Sequence, residues 1–368
     1  MLTCLIDRCR RAGQQQQNRS QKSVLLSICA MATHLTIDLN LQQDIHVALN
    51  VVADMNMLLN FVPPVCQRVN EAFASESWKG RDVFAHFSRH QYEFFRVVGE
   101  TVTSFMEMLS LIVADINRLP TKLDEKNKLL MCLLWLKSYS TYPELALIFD
   151  VSQTDVSRVV NEIWPVLHRV FGRSLPWPTA QEWLSMRFNW PSLPGVVGCI
   201  DGTSHEILTP EDDNRTYYSG HRRYQCIHTQ VIIDNNQNIR YVHSGIEGHE
   251  NDAQSYRKMP KMGPDGSALY IPEDCWILAD GIYPCEAPII TTLRKNQMAL
   301  DDPEENARRI AFNDEARAHR VYVEHVIGKL KTFRVIGTVY RHQRDCFRQI
   351  VEICASLSQR RVHIFDDL

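Results

Sequence analysis

The stretch Gly198-Cys199-Ile200-Asp201-Gly202-Thr203 decides how the carboxy-terminal half of the chain is organised. The apolar run that leads into it, residues 196–200, is short, β-rich and bounded by Pro194-Gly195 and Gly202. Such a run predicts a buried strand that ends where the chain turns at Gly202. Asp201 is then expected at the carboxyl end of this strand, where a site can open.

Strand and helix patterns alternate after this first strand. The pattern predicts strands at 224–234 and 239–243 joined by a hairpin turn, a helix from about residue 252, a strand at 275–279 ending at Asp280-Gly281, and helices at 288–293, 312–331 and 344–358. This order indicates an α/β fold, a ribonuclease-H-like mixed sheet with flanking helices. Because strand carboxyl ends gather at one edge of such a sheet, Asp201 and Asp280 are expected to meet there.

A helix-turn-helix pattern precedes the sheet. A short helix at 144–149 is followed by Asp150-Val151-Ser152, and Ser152 can cap a second helix with Asp155 three residues on. The face opposite the apolar stripe carries short polar and basic side chains suited to phosphates and base edges: Gln153, Thr154, Ser157, Arg158 and Asn161. An ordinary helical hairpin with a solvated face is the alternative.

The predicted long helix carries a candidate third carboxylate, Glu324. Its stripe also holds Arg317, Arg320, Gly328 and Lys331, so one acid lies among three bases that could hold DNA phosphates. An exposed pair of Arg320 with Glu324, four residues apart, is the structural alternative.

Asp252 is a fourth acid, which either caps its own helix or joins the same cluster. Adjacent carboxylates repel unless a cation lies between them, and hard oxygen ligands suit Mg²⁺ or Mn²⁺. A third carboxylate beside Asp201 and Asp280 would complete a two-metal phosphodiester site.

Composition sets weaker limits on function. The chain has 368 residues, 45% of them hydrophobic, and a net charge of −3, so a global basic field for nucleic acid is absent. Its eleven cysteines form no CxxC pair and no zinc spacing, as is typical of reduced thiols inside the cell. No stretch is long and uncharged enough to span a bilayer, so no membrane partner is expected.

Three regions follow from these patterns. They are a poorly defined helical amino-terminal region at 1–90, a helical region with the helix-turn-helix at 91–172, and the ribonuclease-H-like domain at 173–368. A segment rich in Pro and Trp, residues 172–194, links the second region to the third and lies at the start of the third.

Five motifs in this order carry a resemblance to a known family. They are Gly198 to Thr203, Tyr224–Asp234 (YQCIHTQVIID), Gly248 to Asp252, Leu278 to Pro284 (LADGIYP) and Val323 to Lys331 (VEHVIGKLK). Together they resemble the DDE superfamily endonuclease domain of PIF/Harbinger transposases, and residues from Leu119-Pro120-Thr121-Lys122 to Val160 resemble the helix-turn-helix that precedes it. The resemblance covers about residues 119–358.

The resemblance implies a metal-binding catalytic triad of Asp201, Asp280 and Glu324, with Asp252 as an additional acidic position. It also implies DNA as substrate, Mg²⁺ or Mn²⁺ as cofactor and a Myb/SANT-type DNA-binding partner. Two departures are visible, Gly-Ile-Tyr after Asp280 and the pair His205-Glu206, but all four acids are present.

The sequence therefore predicts a divalent-metal-dependent DNA endonuclease of transposase origin. A domesticated DNA- or protein-binding module that no longer cuts is the alternative. The substrate implies a nuclear location, with passage through the cytoplasm also open, and a homo-oligomer is compatible with the pattern.

Overall fold

The computed structural model describes residues 82–116, 123–172, 175–212, 214–260, 269–298 and 301–364. The amino-terminal region predicted for 1–90 lies outside these residues up to position 81, as do Leu119 to Lys122 of the helix-turn-helix resemblance. The boundaries at residues 91 and 173 stay predictions.

Six helices form the first part of the described chain. Their bounds are α1 Val83–Phe87, α2 Gln91–Val98, α3 Val102–Ile116, α4 Glu125–Ser138, α5 Tyr142–Phe149 and α6 Gln153–Phe171. Helix α4 is buried on every side from Asn127 to Leu136, and eight of these ten residues, Leu129 to Leu136, are apolar. The other helices of this part pack around it.

The helix-turn-helix is formed by α5 and α6. Asp150 ends α5 in a left-handed conformation, at φ 51°, and the side chain of Ser152 then accepts a hydrogen bond from the Asp155 amide. This cap is the one that the sequence predicts. Helix α6 buries one stripe of side chains, Val156, Val159, Val160, Ile163, Leu167 and Phe171.

A curled mixed sheet follows the helices. Its strands are β1 Val196–Glu206, β2 Tyr218–Ser219, β3 Tyr224–Asp234, β4 Ile239–Glu247, β5 Trp276–Ala279 and β6 Ile289–Thr291. The order across the sheet is β4-β3-β1-β5-β6, with β2 paired to the start of β3; β5 runs parallel to both β1 and β6, and the other pairings are antiparallel. The predicted fold class, a ribonuclease-H-like mixed sheet preceded by a helix-turn-helix region, is confirmed.

Strand β1 does not end at Asp201, so that prediction was wrong. It continues through Gly202, which pairs with Gln230, and reaches Glu206 opposite Cys226. The antiparallel ladder with β3 satisfies these backbone groups, which removes any need for a turn. Gly202 is instead required by the close approach of the Asp252 side chain.

The predicted helix at 288–293 was also wrong, since residues 289–291 form strand β6 beside β5. Two isoleucines and a threonine are β-branched, and such residues favour an extended backbone when a strand edge is available. The strand follows Pro288, as the first position of an edge strand allows.

The remaining helices are α7 Ala180–Ser185, α8 Asn214–Tyr217, α9 Asp252–Arg257, α10 Pro303–Leu330, α11 Arg334–Gly337 and α12 Phe347–Ile364. Helix α10 begins nine residues before the predicted start. Asp302 accepts hydrogen bonds from the Glu304 and Glu305 amides, and Pro303 occupies the first turn, where a missing amide costs nothing. Its buried stripe, which includes Val323 and Leu330, faces β1, β3 and β5.

The sheet core lies on the face away from α10. Its buried members are Trp183, Met186, Val197, Ile200, Ile232, Tyr256, Met259, Leu269, Cys275, Ile277, Ala279, Tyr283 and Ile289. Ile200 and Ala279 each immediately precede one of the two strand-borne acids. Packing therefore fixes the backbone on which Asp201 and Asp280 are carried.

Within the described part of the chain, no single helix has the length and apolar character needed to cross a membrane. Among the described helices, the bent pair α2 and α3 meets those criteria only when the two are taken together.

Candidate active site

Asp201 and Asp280 occupy equivalent positions on neighbouring parallel strands. Cys199 of β1 is in register with Leu278 of β5, and each acid lies two residues further along. Each carboxylate accepts a hydrogen bond from the next amide, Gly202 N at 2.9 Å and Gly281 N at 2.7 Å. The same local geometry thus turns both side chains to the same part of the sheet.

Asp252 does not cap its helix, so the structure decides between the two alternatives that the sequence leaves open. The N-cap of α9 is Asn251, whose side chain accepts from the Gln254 amide while Gln254 accepts from the Asn251 amide. The Asp252 carboxylate is left free to lean over β1. Its Oδ1 atom accepts from Gln230 Nε2 at 3.3 Å.

Gly202 is required by this approach of Asp252. A Cβ atom at position 202 would overlap Asp252 Oδ1 and would stand 2.7 Å from its Cγ and 3.0 Å from Gln230 Nε2. Any residue larger than glycine at position 202 would therefore displace the Asp252 carboxylate.

Glu324 reaches the same place from α10. The Arg320 guanidinium contacts Glu324 Oε1 at 2.6 Å through Nη2 and Asp201 Oδ2 at 3.5 Å through Nη1. The expected pair along the helix therefore exists, and it is also a bridge to the sheet. Arg320 brings the helix acid and the strand acid together.

The electrostatics of the cluster are dominated by burial of Asp201. Burial raises the pKa of the Asp201 carboxyl to about 6; Arg320 and the Gly202 amide oppose the rise, and Asp252 and Glu324 add to it. Burial, followed by the charges of Asp252, Asp201 and Asp280, likewise raises the pKa of Tyr283. Three carboxylates thus act on one phenol, and one arginine only partly neutralises the cluster.

This set of donors fits divalent metal ions. Asp252 and Glu324 both act on Asp201, and Asp280 acts with Asp201 and Asp252 on Tyr283, so four carboxylates from separate parts of the chain share one region with a single arginine. The Glu324 side chain is 46% exposed, so this side of the site is open to solvent. Asp201, Asp252, Asp280 and Glu324 are the residues that would hold Mg²⁺ or Mn²⁺.

The other cations of the predicted DNA-binding stripe lie in different surroundings. Arg317 is exposed and pairs with Asp314 at 2.9 Å. The Lys331 ammonium donates to the Ser204 carbonyl of β1 at 2.9 Å and is half-buried. Of the three bases, only Arg320 contacts the acids.

The predicted recognition face of α6 is solvent-facing. Gln153, Thr154, Arg158 and Asn161 are exposed, whereas Ser157 is half-buried and accepts from Asn161 Nδ2 at 3.2 Å. Arg158 lies 3.5 Å from Asp155, one turn back on the same helix. The carboxy-terminal half of α6 contacts α12, a helix that packs on β4, since His168 Nε2 lies 2.6 Å from Glu352 Oε2.

Two ranges of the chain match known protein-family models. Residues 200–359 match a family model described as "DDE superfamily endonuclease", and residues 121–172 match one described as "Helix-turn-helix of DDE superfamily endonuclease". The chain carries a DDE superfamily endonuclease domain. The matched ranges contain all four acids and the whole of α5 and α6.

Two similar proteins carry provisional names as transposases. One is named as the probable transposase for insertion sequence element IS702 and comes from Microchaete diplosiphon. It is 24% identical over 266 residues, which is 69% of this chain and 89% of the relative. The other, for insertion sequence element IS112 of Streptomyces albus G, is 25% identical over 223 residues, which is 60% of this chain and 72% of the relative. No solved structure gives a significant match.

Two residues of the DDE domain's site were missed by the sequence reading. The Tyr283 hydroxyl donates to Gln230 Oε1, and the Gln230 amide in turn donates to Asp252. The signal for Gln230 was weak, because strand β3 also contains Gln225, His228 and Thr229; Tyr283, three residues after Asp280, reads as a core aromatic. Both side chains are buried, and through Gln230 they hold the Asp252 carboxylate.

A second acidic group in the DDE domain lies at Glu247, His249 and Glu250, whose ligand atoms fall within 4.8 Å of one another. The Lys258 ammonium already bridges Glu247, at 3.1 Å, and Glu250. A resident cation therefore balances this group, and it is a poor candidate for the metal centre.

Proposed function

We propose that this protein is a divalent-metal-dependent DNA endonuclease of PIF/Harbinger type that hydrolyses phosphodiester bonds and can also transfer strands. The observation that carries the proposal is the contact of Arg320 with both Asp201 and Glu324, in a region where Asp252 also acts on Asp201 and Asp280 acts on Tyr283. These four acids come from distant parts of the sequence, and their convergence is what a metal-dependent phosphodiester site needs.

Asp201 and Asp280 would hold a metal pair, with Glu324 and Asp252 completing the ligand set. Bound metals at such a site supply activation of the attacking oxygen and stabilisation of the leaving oxygen. The chain itself supplies orientation. Packing of Ile200 and Ala279 fixes the two strands, and Gln230 with Tyr283 holds Asp252 over Gly202.

Substrate positioning would come from cations and from the helix-turn-helix. Arg320 is close enough to the acids to donate to oxygens of the scissile phosphate, and Arg317 and Lys331 lie on either side of it along α10. The exposed face of α6 would contact the duplex away from the cut and would set sequence preference.

A partner protein and a location follow from this proposal. The chain has a net charge of −3, so a Myb/SANT-type DNA-binding partner or a second copy of the chain would contribute part of the affinity for DNA. A DNA substrate in a eukaryotic cell places the active protein in the nucleus, with passage through the cytoplasm.

One observation favours the alternative, a DNA- or protein-binding module that does not cut. Arg320 bridges Asp201 and Glu324, so part of the acid cluster is neutralised by the protein's own side chain. A site that has lost its metals could persist in this form.

Nicking of supercoiled duplex DNA in the presence of Mg²⁺ or Mn²⁺ separates the two functions. We expect wild-type protein to nick, and Asp201→Asn and Glu324→Gln to lose the activity by at least a hundredfold, while Glu304→Gln on the same helix retains it. Equal activity in all four proteins would rule out the enzyme. Duplex binding by wild type without metal-dependent nicking would establish the module instead.

A further inference from the structure

The turn between β2 and β3 displays two arginines, Arg222 and Arg223, on an open surface. Both side chains are exposed, and nothing lies within 4 Å of a Cβ atom built at the neighbouring Gly220. The turn is well defined, since the Arg223 amide donates to the Ser219 carbonyl at 2.7 Å and the Arg222 amide donates to the Ser219 hydroxyl at 3.3 Å. The backbone that carries the two cations is thus held in a defined turn.

The backbone of this turn is strained. Arg223 has a φ of 62°, in the left-handed region, where a glycine or asparagine is the usual occupant. Strain of this kind persists where the surrounding structure imposes it and is concentrated at functional sites. An arginine at this position places a long cation where a neutral glycine would satisfy the backbone better.

Two further cations adjoin the turn from other parts of the chain. The Arg344 guanidinium lies 4.5 Å from the ring centroid of Tyr217, the residue immediately before β2. Lys331, bonded to the Ser204 carbonyl, is close enough to Arg222 that the arginine's charge adds to burial in lowering the pKa of the lysine. Arg222, Arg223, Lys331 and Arg344 are together called the turn patch.

The turn patch has an excess of positive charge. Within the described ranges, none of its four cations forms an ion pair with a carboxylate, although Glu206 and Asp345 lie at its edge. Clustered like charges repel, and the chain as a whole is negative. Uncompensated cations on a net-negative protein indicate a surface for a polyanion.

The patch lies along two elements that lead from the acid cluster. Ser204, which Lys331 contacts, is three residues from Asp201 on β1, or about 10 Å of extended strand. Along α10, Lys331 is seven residues from Glu324, again about 10 Å of helix. Arg222 and Arg223 lie further out. Arg223 is eight residues along the chain from Val231, the β3 partner of Asp201, which is about 26 Å of extended strand or about eight base-pair steps of duplex DNA.

We propose that the turn patch binds the phosphate backbone of duplex DNA about eight base pairs from the phosphate at the acid cluster. This rests on the proposed function, and it assigns the path of the duplex across the domain. Arg222 and Arg223 neutralise phosphates through exposed side chains, while Arg344 and Lys331 add charge from behind the turn. The contacts are to the backbone and carry no sequence information.

The test is the salt dependence of duplex binding by the full chain, measured without divalent metal by the fluorescence anisotropy of a labelled duplex of about 30 base pairs. The variant is Arg222→Gln/Arg223→Gln. Its matched control is Arg308→Gln/Arg348→Gln, which removes the same charge from two exposed arginines that pair with glutamates on their own helices. A third protein, Arg222→Lys/Arg223→Lys, keeps the charge at the turn.

We expect the slope of log affinity against log salt to fall by about 2 in Arg222→Gln/Arg223→Gln, with an affinity loss of about ten- to a hundredfold near 0.1 M salt. The control and the lysine variant should keep the wild-type slope. A slope equal to the control, or an equal fall in the lysine variant, would overturn the turn patch and leave the proposed function standing. Absence of duplex binding by wild type at every salt concentration would overturn both.

Discussion

The carboxylate of Asp252 lies where a Cβ atom at position 202 would stand. A single glycine in the middle of a long strand thus admits the fourth acid of the site. Because Gly202 pairs normally with Gln230, its role is steric and does not depend on an unusual backbone angle.

Gly202→Ala is expected to disable the site with limited harm to the fold. The new methyl group must displace Asp252 and disturb its hydrogen bond from Gln230, which we expect to lower metal-dependent nicking by about a hundredfold and the free energy of unfolding by about 1–3 kcal/mol. Nicking rates and urea unfolding measure the two effects. Gly220→Ala is the control, since a Cβ atom there meets nothing within 4 Å; equal activity of the two variants would contradict the steric role.

Arg320→Gln is expected to destabilise the metal-free protein and to increase the stabilisation that metal provides. Without the guanidinium, Asp201 and Glu324 face Asp252 with no positive charge between them, so unfolding in EDTA should become easier by about 1 kcal/mol. Addition of Mn²⁺ should then raise the melting temperature of the variant more than that of wild type. Arg317→Gln, whose arginine contacts only Asp314, should behave like wild type. A Mn²⁺ shift no larger in Arg320→Gln than in Arg317→Gln would argue against this.

The raised pKa of Asp201 predicts a specific dependence of stability on pH in the absence of metal. A carboxyl whose folded pKa is about 6 stabilises the fold while it is protonated, and this stability is lost as the pH rises through 6. Asp201→Asn removes the ionisation, so the unfolding free energy of the variant relative to wild type should rise by about 1.4 kcal/mol between pH 5 and pH 8. Urea unfolding in EDTA at both pH values tests this, and a constant difference would contradict it.

Asp234 is a buried acid outside the site, and its loss should lower the free energy of unfolding without changing metal affinity. It is fully buried, accepts from the Asn236 and Asn238 amides at 2.9 Å, and pairs with Arg240 at 2.7 Å. Asp234→Ala leaves Arg240 and the hairpin amides without their partner and should cost about 3–5 kcal/mol of unfolding free energy. Metal affinity of the protein that remains folded should be unchanged, as Mn²⁺ titration below the melting temperature would show; a parallel loss of metal affinity would mean that the hairpin supports the site.

The sequence predicts the parts of this molecule that depend on local pattern. The hairpin after Asp234 and the cap at Ser152 follow from turn chemistry, and both are confirmed. The extension of β1 to Glu206 and the strand at 289–291 depend on a neighbouring strand that supplies hydrogen bonds, which local pattern does not reveal.

The site divides in the same way. Asp201 and Asp280 could be placed together because both follow apolar strands. The contacts of Tyr283 with Gln230, and of Gln230 with Asp252, cross three elements and arise only from packing. The cap of α9 was ambiguous because Asn251 and Asp252 are adjacent and both residue types cap helices well.

Binding of Mn²⁺ to the purified protein, measured by titration calorimetry, tests the central claim most directly. If Asp201, Asp280 and Glu324 form a metal centre with Asp252, wild type will bind saturably, Asp201→Asn and Asp280→Asn will each lose affinity by at least tenfold, and Asp345→Asn, an exposed acid outside the cluster, will match wild type. Equal affinity in all four proteins, or no saturable binding by wild type, would contradict the metal centre.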